Sequence, residues 1–253
     1  VSKSFTDYIN ELDLFGDNLL IKCDGKDSNN VTLESSGENG KMNLVIDEDY
    51  MKGKHRGPEF SVLKNIMIKC LFGFHRLAIN GLNYESNQPL VVNDIALICN
   101  GEIYNYKKLL KLFDEEKITF KTDSDCEIII HLYQKYGIEY TLQMLDGVYS
   151  FVLVDYRLVL DKSKIFVARD PYGVRPLFML HGKKSKQLQS NKQNSLVQDN
   201  RLLYGFASEL KSLNKVYNSL NQSKNYNYYV EQFQPGSYSE FNLSFKVNSY
   251  WEL

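Results

Sequence analysis

The chain has 253 residues, 43% of them hydrophobic and 24% charged, which excludes a disordered, collagen-like or membrane-spanning polypeptide and fits one large domain or two small ones. Lys plus Arg number 30 against 31 Asp plus Glu, so no overall field attracts nucleic acid or an acidic membrane surface. No apolar run approaches the roughly 18 residues of a membrane span, and the opening Val1-Ser-Lys-Ser-Phe-Thr-Asp7 has no signal-peptide pattern, so the expected setting is the cytoplasm. Cys23, Cys70, Cys99 and Cys126 are far apart, and three of them have apolar neighbours, which favours reduced buried thiols over a disulfide framework. The Asn-x-Ser/Thr triplets at Asn30, Asn221 and Asn242 read as chance without a secretory signal.

Taken in order, the chain opens with a polar stretch, Asp24 to Lys41. Ile95-Ala-Leu-Ile-Cys99 then predicts a short buried strand that ends at Asn100-Gly101, with a helix after it carried by Ile103, Tyr104 and Leu109-Leu110. Ser124-Asp-Cys-Glu127 fits a capping box. It predicts a helix of about three turns with Ile128, Ile129, Leu132, Tyr133 and Tyr136 on one face. From Tyr149 the period changes to that of strands: Tyr149 to Asp155, Lys164 to Ala168 and Leu177 to Leu180, punctuated by Asp170-Pro-Tyr-Gly173, predict an antiparallel meander. The polar His181 to Arg201 is expected to be an expanded hairpin loop between Leu177–Leu180 and Leu202–Phe206. A further polar segment is Asn214 to Asn227, and no internal repeat occurs. Strands on both sides of a helical middle, without regular alternation, point to an α+β fold.

General catalytic patterns are missing. No cysteine pair has zinc spacing, no His-Glu-x-x-His occurs, and Gly37-Glu-Asn-Gly40-Lys41 is too short for a phosphate loop. There is neither a Gly-x-Ser-x-Gly elbow nor a Gly-x-Gly-x-x-Gly after a strand.

Five segments in order carry more: His55-Arg-Gly-Pro58, Phe74-His-Arg-Leu-Ala-Ile79, Asn100-Gly-Glu-Ile-Tyr-Asn105, Thr122-Asp-Ser-Asp-Cys-Glu127 and Ala168-Arg-Asp-Pro-Tyr-Gly-Val-Arg-Pro-Leu177. Together they resemble the class II glutamine amidotransferase domain, and within that group the N-terminal glutaminase domain of glutamine-hydrolysing asparagine synthetase. The resemblance runs from about His55 to Trp251, and residues 1–253 are read as this one domain. It implies the N-terminal nucleophile hydrolase fold, an αββα four-layer sandwich of two antiparallel sheets. It also implies hydrolysis of the L-glutamine side-chain amide to glutamate and ammonia through a cysteinyl thioester, for transfer to aspartate.

The resemblance assigns roles residue by residue. Arg76 would bind the substrate α-carboxylate, which suits the paired donors of a guanidinium. Leu77, Ala78, Ile79 and Asn80 would continue the pocket wall, although Asn80 stands where the family commonly has an apolar residue. Asp125 would bind the α-ammonium; by itself, an acid at a helix start is explained by the helix dipole. Asn100 and Gly101 would form the oxyanion hole, whereas alone they would read as a hairpin turn. Glu102 and Asn105 would line or brace the pocket. Turn or core ion-pair roles suit Arg56, Arg169 and Arg175 as well as substrate binding does, and His75 is expected to support the pocket rather than act as a base.

Two departures stand out. The family's mature proteins begin Cys-Gly-Ile, with the thiol as nucleophile and its own α-amine as base; no Cys-Gly-Ile occurs here, and the residues after Cys23 do not match an apolar strand. Nor does the chain contain the Ser-Gly-Gly-x-Asp-Ser loop of the synthetase domain. The economical expectation is a domain cut from a longer asparagine synthetase. The domain itself would need no cofactor or metal; ATP and Mg²⁺ would serve the C-terminal synthetase domain, its partner in the parent protein. A lost first strand would make the chain less stable than the parent, and a homodimer is left open. The alternative is a pseudo-glutaminase that binds glutamine as a sensor or interaction domain; a third is an assembly module with a vestigial pocket.

Overall fold

The β-branched and aromatic runs of the sequence collect into antiparallel pairs, each sheet turning one face to a helix and the other to the opposite sheet. The structure, a computed structural model, describes residues 19–23, 31–35, 47–67, 70–115, 118–158, 162–184, 204–222, 226–242 and 247–252. A ribbon of β1 (Leu19–Cys23) and β2 (Val31–Ser35) is followed by a short helix α1 (Asp47–Met51) and a hairpin of β3 (Phe60–Met67) and β4 (Cys70–Arg76). A six-stranded sheet is formed by β5 (Leu90–Val92), β6 (Ile95–Ile103), β7 (Gly147–Asp155), β8 (Lys164–Arg169), β12 (Ser237–Asn242) and β13 (Val247–Glu252). Its order is β13-β12-β8-β7-β6-β5, and every pair is antiparallel. The strands β9 (Phe178–Lys184), β10 (Gly205–Ala207) and β11 (Tyr226–Gln232) make a second sheet in the order β10-β9-β11.

Side chains on successive strand residues point to opposite faces, and this alternation sets the layers. On the large sheet Leu97, Cys99, Phe151, Leu153, Phe166 and Ala168 share a core with Ile128, Ile129 and Leu132 of α3 (Glu127–Met144). The intervening Ala96, Val152, Val154, Ile165 and Val167 pack with Leu177, Met179, Phe206 and Phe233, that is, with the second sheet and its flanks. On the outer side of that sheet Leu180, Phe178 and Val230 meet Val216 and Leu220 of α4 (Asn214–Asn221). Helix, sheet, sheet, helix is the expected αββα arrangement, and the chain is α+β.

Several local expectations need correction. The strand read at Ile95–Cys99 does not stop at Asn100-Gly101. It continues to Ile103 because β7 supplies a ladder through Ile103↔Gly147, and the helix α2 (Tyr106–Leu110) begins only afterwards. The meander is also only partly realised: β7 and β8 pair, but the third run leaves to found the other sheet. That sheet contains the predicted hairpin, with Leu180 opposite Gly205, while residues 185–203 of its loop lie outside the described ones. The capping box does not form as read. Glu127 turns back to accept the Lys121 and Thr122 N–H groups at 2.8 and 2.7 Å, whereas Ser124 Oγ accepts the Cys126 N–H at 3.3 Å. Helix α3 is broken at Gly137 (φ 79, ψ 174), so the predicted three turns are its first part; Tyr136, beside the break, is exposed instead of sharing the buried face. The polar segment from Asn214 turns out to hold α4, anchored by Val216 and Leu220.

Candidate active site

The end of β4 supplies the first wall. Arg76 is only 8% exposed, and no side-chain carboxylate pairs with it among the described residues. Its Nη1 donates to the Asn83 carbonyl (3.1 Å) and Asn87 Oδ1 (2.7 Å), and its Nη2 donates to the Gly81 carbonyl. A guanidinium has five N–H donors, so these three contacts tie Arg76 to loop 81–87 and leave two donors for another group. The backbone of the following residues is fixed as well: Ala78 N–H donates to Glu59 Oε2 at 2.7 Å. His75 is held on both sides, with Nε2 donating to the Tyr50 carbonyl and Nδ1 bonded to Ser61 Oγ, each at 2.8 Å. It also stacks on the Tyr50 ring at 4.1 Å, and burial lowers its pKa. The lowered pKa favours the neutral imidazole, and both of its ring nitrogens are already engaged, by Tyr50 and Ser61.

Strand β6 supplies the second wall through its hydrogen-bonding edge. Along an antiparallel strand, successive residues offer their N–H and C=O alternately to one neighbour and the other. Tyr104 N–H donates to the Asp146 carbonyl (2.8 Å) and Tyr156 N–H to the Asp94 carbonyl (3.0 Å), so even-numbered residues of β6 face β7. The odd-numbered ones face the opposite edge. There, Ile95 and Leu97 oppose Val92 and Leu90 of β5, where β5 ends. At Cys99 the Gln88 side chain takes over, its Oε1 accepting the Cys99 N–H (2.6 Å) and its Nε2 donating to the Cys99 carbonyl (3.0 Å). At Ile103 the N–H donates to Asp125 Oδ2 at 2.6 Å. Gly101, between these two, has no partner on this edge among the described residues, and it lines a cavity.

That cavity has a volume of about 100 Å³ and gathers Arg76, Leu77, Ala78, Ile79, Asn80, Gly101, Glu102 and Asp125. Asn100 does not line it. The alternation of β6 puts its side chain on the face of Ala96 and Ile98, where Nδ2 is buried without a hydrogen-bond partner among the described residues. Asp125, 4% exposed, sits just before α3. Burial raises its pKa; the Ile103 and Asp125 N–H groups pull it back, Glu102 adds to the rise, and Asn80 counters it. Glu102 in turn lies 3.8 Å from Arg175 Nη2.

Asn105 braces rather than lines: it bonds the Met144 carbonyl and the Asp146 N–H at the far end of α3. Arg169 is spent on the carbonyls of Arg175, Phe233 and Gly173, each within 2.8 Å, which makes it a turn-holding residue. Arg56 reaches the cavity wall. Sequence reading missed Gln88, Ser86, Cys99 and Cys126 in this wall. The available signal for Gln88 was a polar residue before a proline at the start of an apolar strand, which reads as a turn. Cys126 holds its proton firmly, its pKa raised by the bond to Cys99 and by burial. Cys23 ends β1, and its side chain lies outside the described residues.

A buried clamp of opposite charges beside an unpaired strand-edge donor suits a free amino acid. Residues 34–251 match the glutamine amidotransferase domain, and the chain belongs to that family. Curated proteins that it resembles include glutamine-hydrolysing asparagine synthetases. That of Gallus gallus is 39% identical over 198 residues, covering 76% of this chain and 30% of the relative. That of Homo sapiens is 47% identical over 133 residues, covering 51% and 22%. The chain thus spans less than a third of the length of these relatives. Among solved structures, the glutamine phosphoribosylpyrophosphate amidotransferase of B. subtilis aligns with a TM-score of 0.48 and 22% identity, covering 90% of this chain and 41% of that one.

Proposed function

We propose that this domain is the glutaminase half of an ATP-dependent asparagine synthetase, hydrolysing L-glutamine to glutamate and ammonia. The observation that carries the reading is the convergence on one cavity of a cationic Arg76 with two spare donors, an anionic Asp125 and the outward N–H of Gly101. Arg76 takes the α-carboxylate and Asp125 the α-ammonium, leaving the side-chain carboxamide directed at β6. When a thiolate attacks that carbon, the carbonyl oxygen gains negative charge. The Gly101 N–H stabilises it; the buried, unpartnered Nδ2 of Asn100, on the neighbouring face of β6 and outside the cavity lining, is assigned as the second donor. The proton that the cysteine's own α-amine takes from the thiol passes to the leaving nitrogen, so ammonia departs as the tetrahedral centre collapses to a thioester, and water then opens the thioester to glutamate and the free thiol. We assign the thiol to an N-terminal cysteine of the parent protein, as the family resemblance implies; Cys126 in the cavity wall is disfavoured as a thiolate, its pKa raised by the bond to Cys99 and by burial. ATP and Mg²⁺ belong to the synthetase domain, and no residue of this chain is assigned to them. Free thiols at Cys70, Cys99 and Cys126 support a reducing, cytoplasmic setting.

The test is glutamate and ammonia release by the protein expressed from its native reading frame, beside Arg76→Ala. We expect turnover by the first and a loss of at least about 100-fold in kcat/KM by the second, in line with removal of a charged recognition pair. Glutamine binding by a folded protein without hydrolysis would instead make it a sensor.

A further inference from the structure

The site contains one device that the clamp and the nucleophile do not explain. Strand β5 ends at Leu90, opposite Leu97, so the next outward-facing residue of β6, Cys99, should be left with a bare N–H and C=O. The backbone ladder does not reach Cys99, because β5 spans only Leu90–Val92 and the residue opposite Cys99 in this register, Gln88, lies outside it. The Gln88 carboxamide fills the gap instead. It accepts from the Cys99 N–H at 2.6 Å and donates to the Cys99 carbonyl at 3.0 Å, the two-bond exchange of a hydrogen-bonded strand pair. Gln88 is 7% exposed and lines the same cavity as Gly101. On the other side, Asp125 clasps the Ile103 N–H at 2.6 Å. The strand is therefore pinned two residues before and two residues after Gly101, and among the described residues the intervening donor on this edge is left to the cavity.

We propose that Gln88 is a positioning residue of the oxyanion hole: its side-chain amide replaces a missing strand and fixes the Gly101 N–H toward the reacting carbonyl. The inference rests on the glutaminase reading above. Gln88 touches neither the α-carboxylate clamp nor the ammonium clamp, so its removal should disturb the transition state and spare ground-state binding. Losing one oxyanion donor typically lowers turnover about 100- to 1000-fold, and a misaimed donor should lose much of that.

The experiment is steady-state glutaminase kinetics on the full-length protein with Gln88→Met, together with the affinity for the product glutamate by calorimetry. We expect kcat to fall about 30- to 300-fold while KM and the glutamate Kd change less than about threefold. Gln88→Glu retains the acceptor for the Cys99 N–H and should recover part of the loss; it also serves if the Met variant does not fold. Tyr133→Phe, which deletes the 2.7 Å bond to Asp155 away from the cavity, is the stability control and should lower Tm without lowering kcat. A folded Gln88→Met enzyme with unchanged kcat would overturn the proposal, as would parallel loss of kcat and glutamate affinity. An inactive wild-type protein would remove the glutaminase reading itself and this role with it, an outcome distinguished by needing no variant.

Discussion

Asp125 binds in two directions: its Oδ2 holds the Ile103 N–H, and its charge is available to the cavity. Burial lifts its pKa, so at low pH the site holds a neutral acid that cannot attract an ammonium. We therefore predict that KM for glutamine falls as pH rises through the raised pKa. Asp125→Asn should abolish that dependence and raise KM about 10- to 100-fold, the equivalent of about 1.5 to 3 kcal/mol for a charge-assisted hydrogen bond. Kinetics across pH for both proteins would check this; an unchanged KM in the variant would remove Asp125 from the clamp. The stability effect has the opposite sign. The folded state holds the proton more tightly than the unfolded state, so Asp125 costs stability as pH rises from the ordinary carboxylate range through the raised value. Asp125→Asn should be the less pH-sensitive protein in denaturant titrations over that interval. At this scale the sequence was informative where a motif names a charged side chain, as with Arg76 and Asp125. It was silent on Gln88, because an amide that imitates backbone leaves no pattern in its own neighbourhood.

The strand β6 shows why element boundaries were harder to read than element types. An Asn-Gly pair ordinarily marks a turn, and local propensity gave no reason to run the strand through it. What carries it on is β7, which pairs with Asn100 through Ser150 and with Gly101 through Tyr149, a partner remote in sequence. The close approach demands the glycine: a Cβ on Gly101 would lie 2.1 Å from the Val148 carbonyl oxygen and 2.7 Å from Tyr149 Cα. Gly101→Ala should therefore push β6 and β7 apart, lower stability by about 3 kcal/mol and remove glutaminase activity, as judged by thermal melts and product assay. Gly137 is a different case. Its φ of 79 is left-handed, yet nothing lies within 4 Å of an added Cβ. Gly137→Ala should cost only the strain of a backbone conformation (φ 79, ψ 174) that essentially glycine alone adopts, about 2 kcal/mol, and leave kcat and KM unchanged. Equal stability losses from the two substitutions would contradict the distinction between clash and strain.

At the level of the whole molecule, the strand runs were enough to read an α+β fold and the family resemblance supplied the two-sheet sandwich, but neither said which strands share a sheet. Tyr149 to Asp155, Lys164 to Ala168 and Leu177 to Leu180 look alike as sequences; the third crosses to the other layer because Leu177 and Met179 pack against the inner face of the first two. That shared inner layer should make the sandwich unfold as one unit. Leu153, fully buried under α3, and Leu180, fully buried under α4, belong to opposite outer layers. Each Leu→Ala change should cost about 2 to 5 kcal/mol through lost burial and a residual cavity. If the inner layer couples the sheets, both variants lower the midpoint of a single urea transition without changing its slope, and fluorescence and circular dichroism report the same curve. Neither side chain lines the active-site cavity, so KM for glutamine should stay within about twofold while the protein is folded. A separate early transition confined to Leu180→Ala would mean that the three-stranded sheet and α4 melt independently, and that the layer holding Arg169 to the Phe233 carbonyl is secured by that contact rather than by the common core.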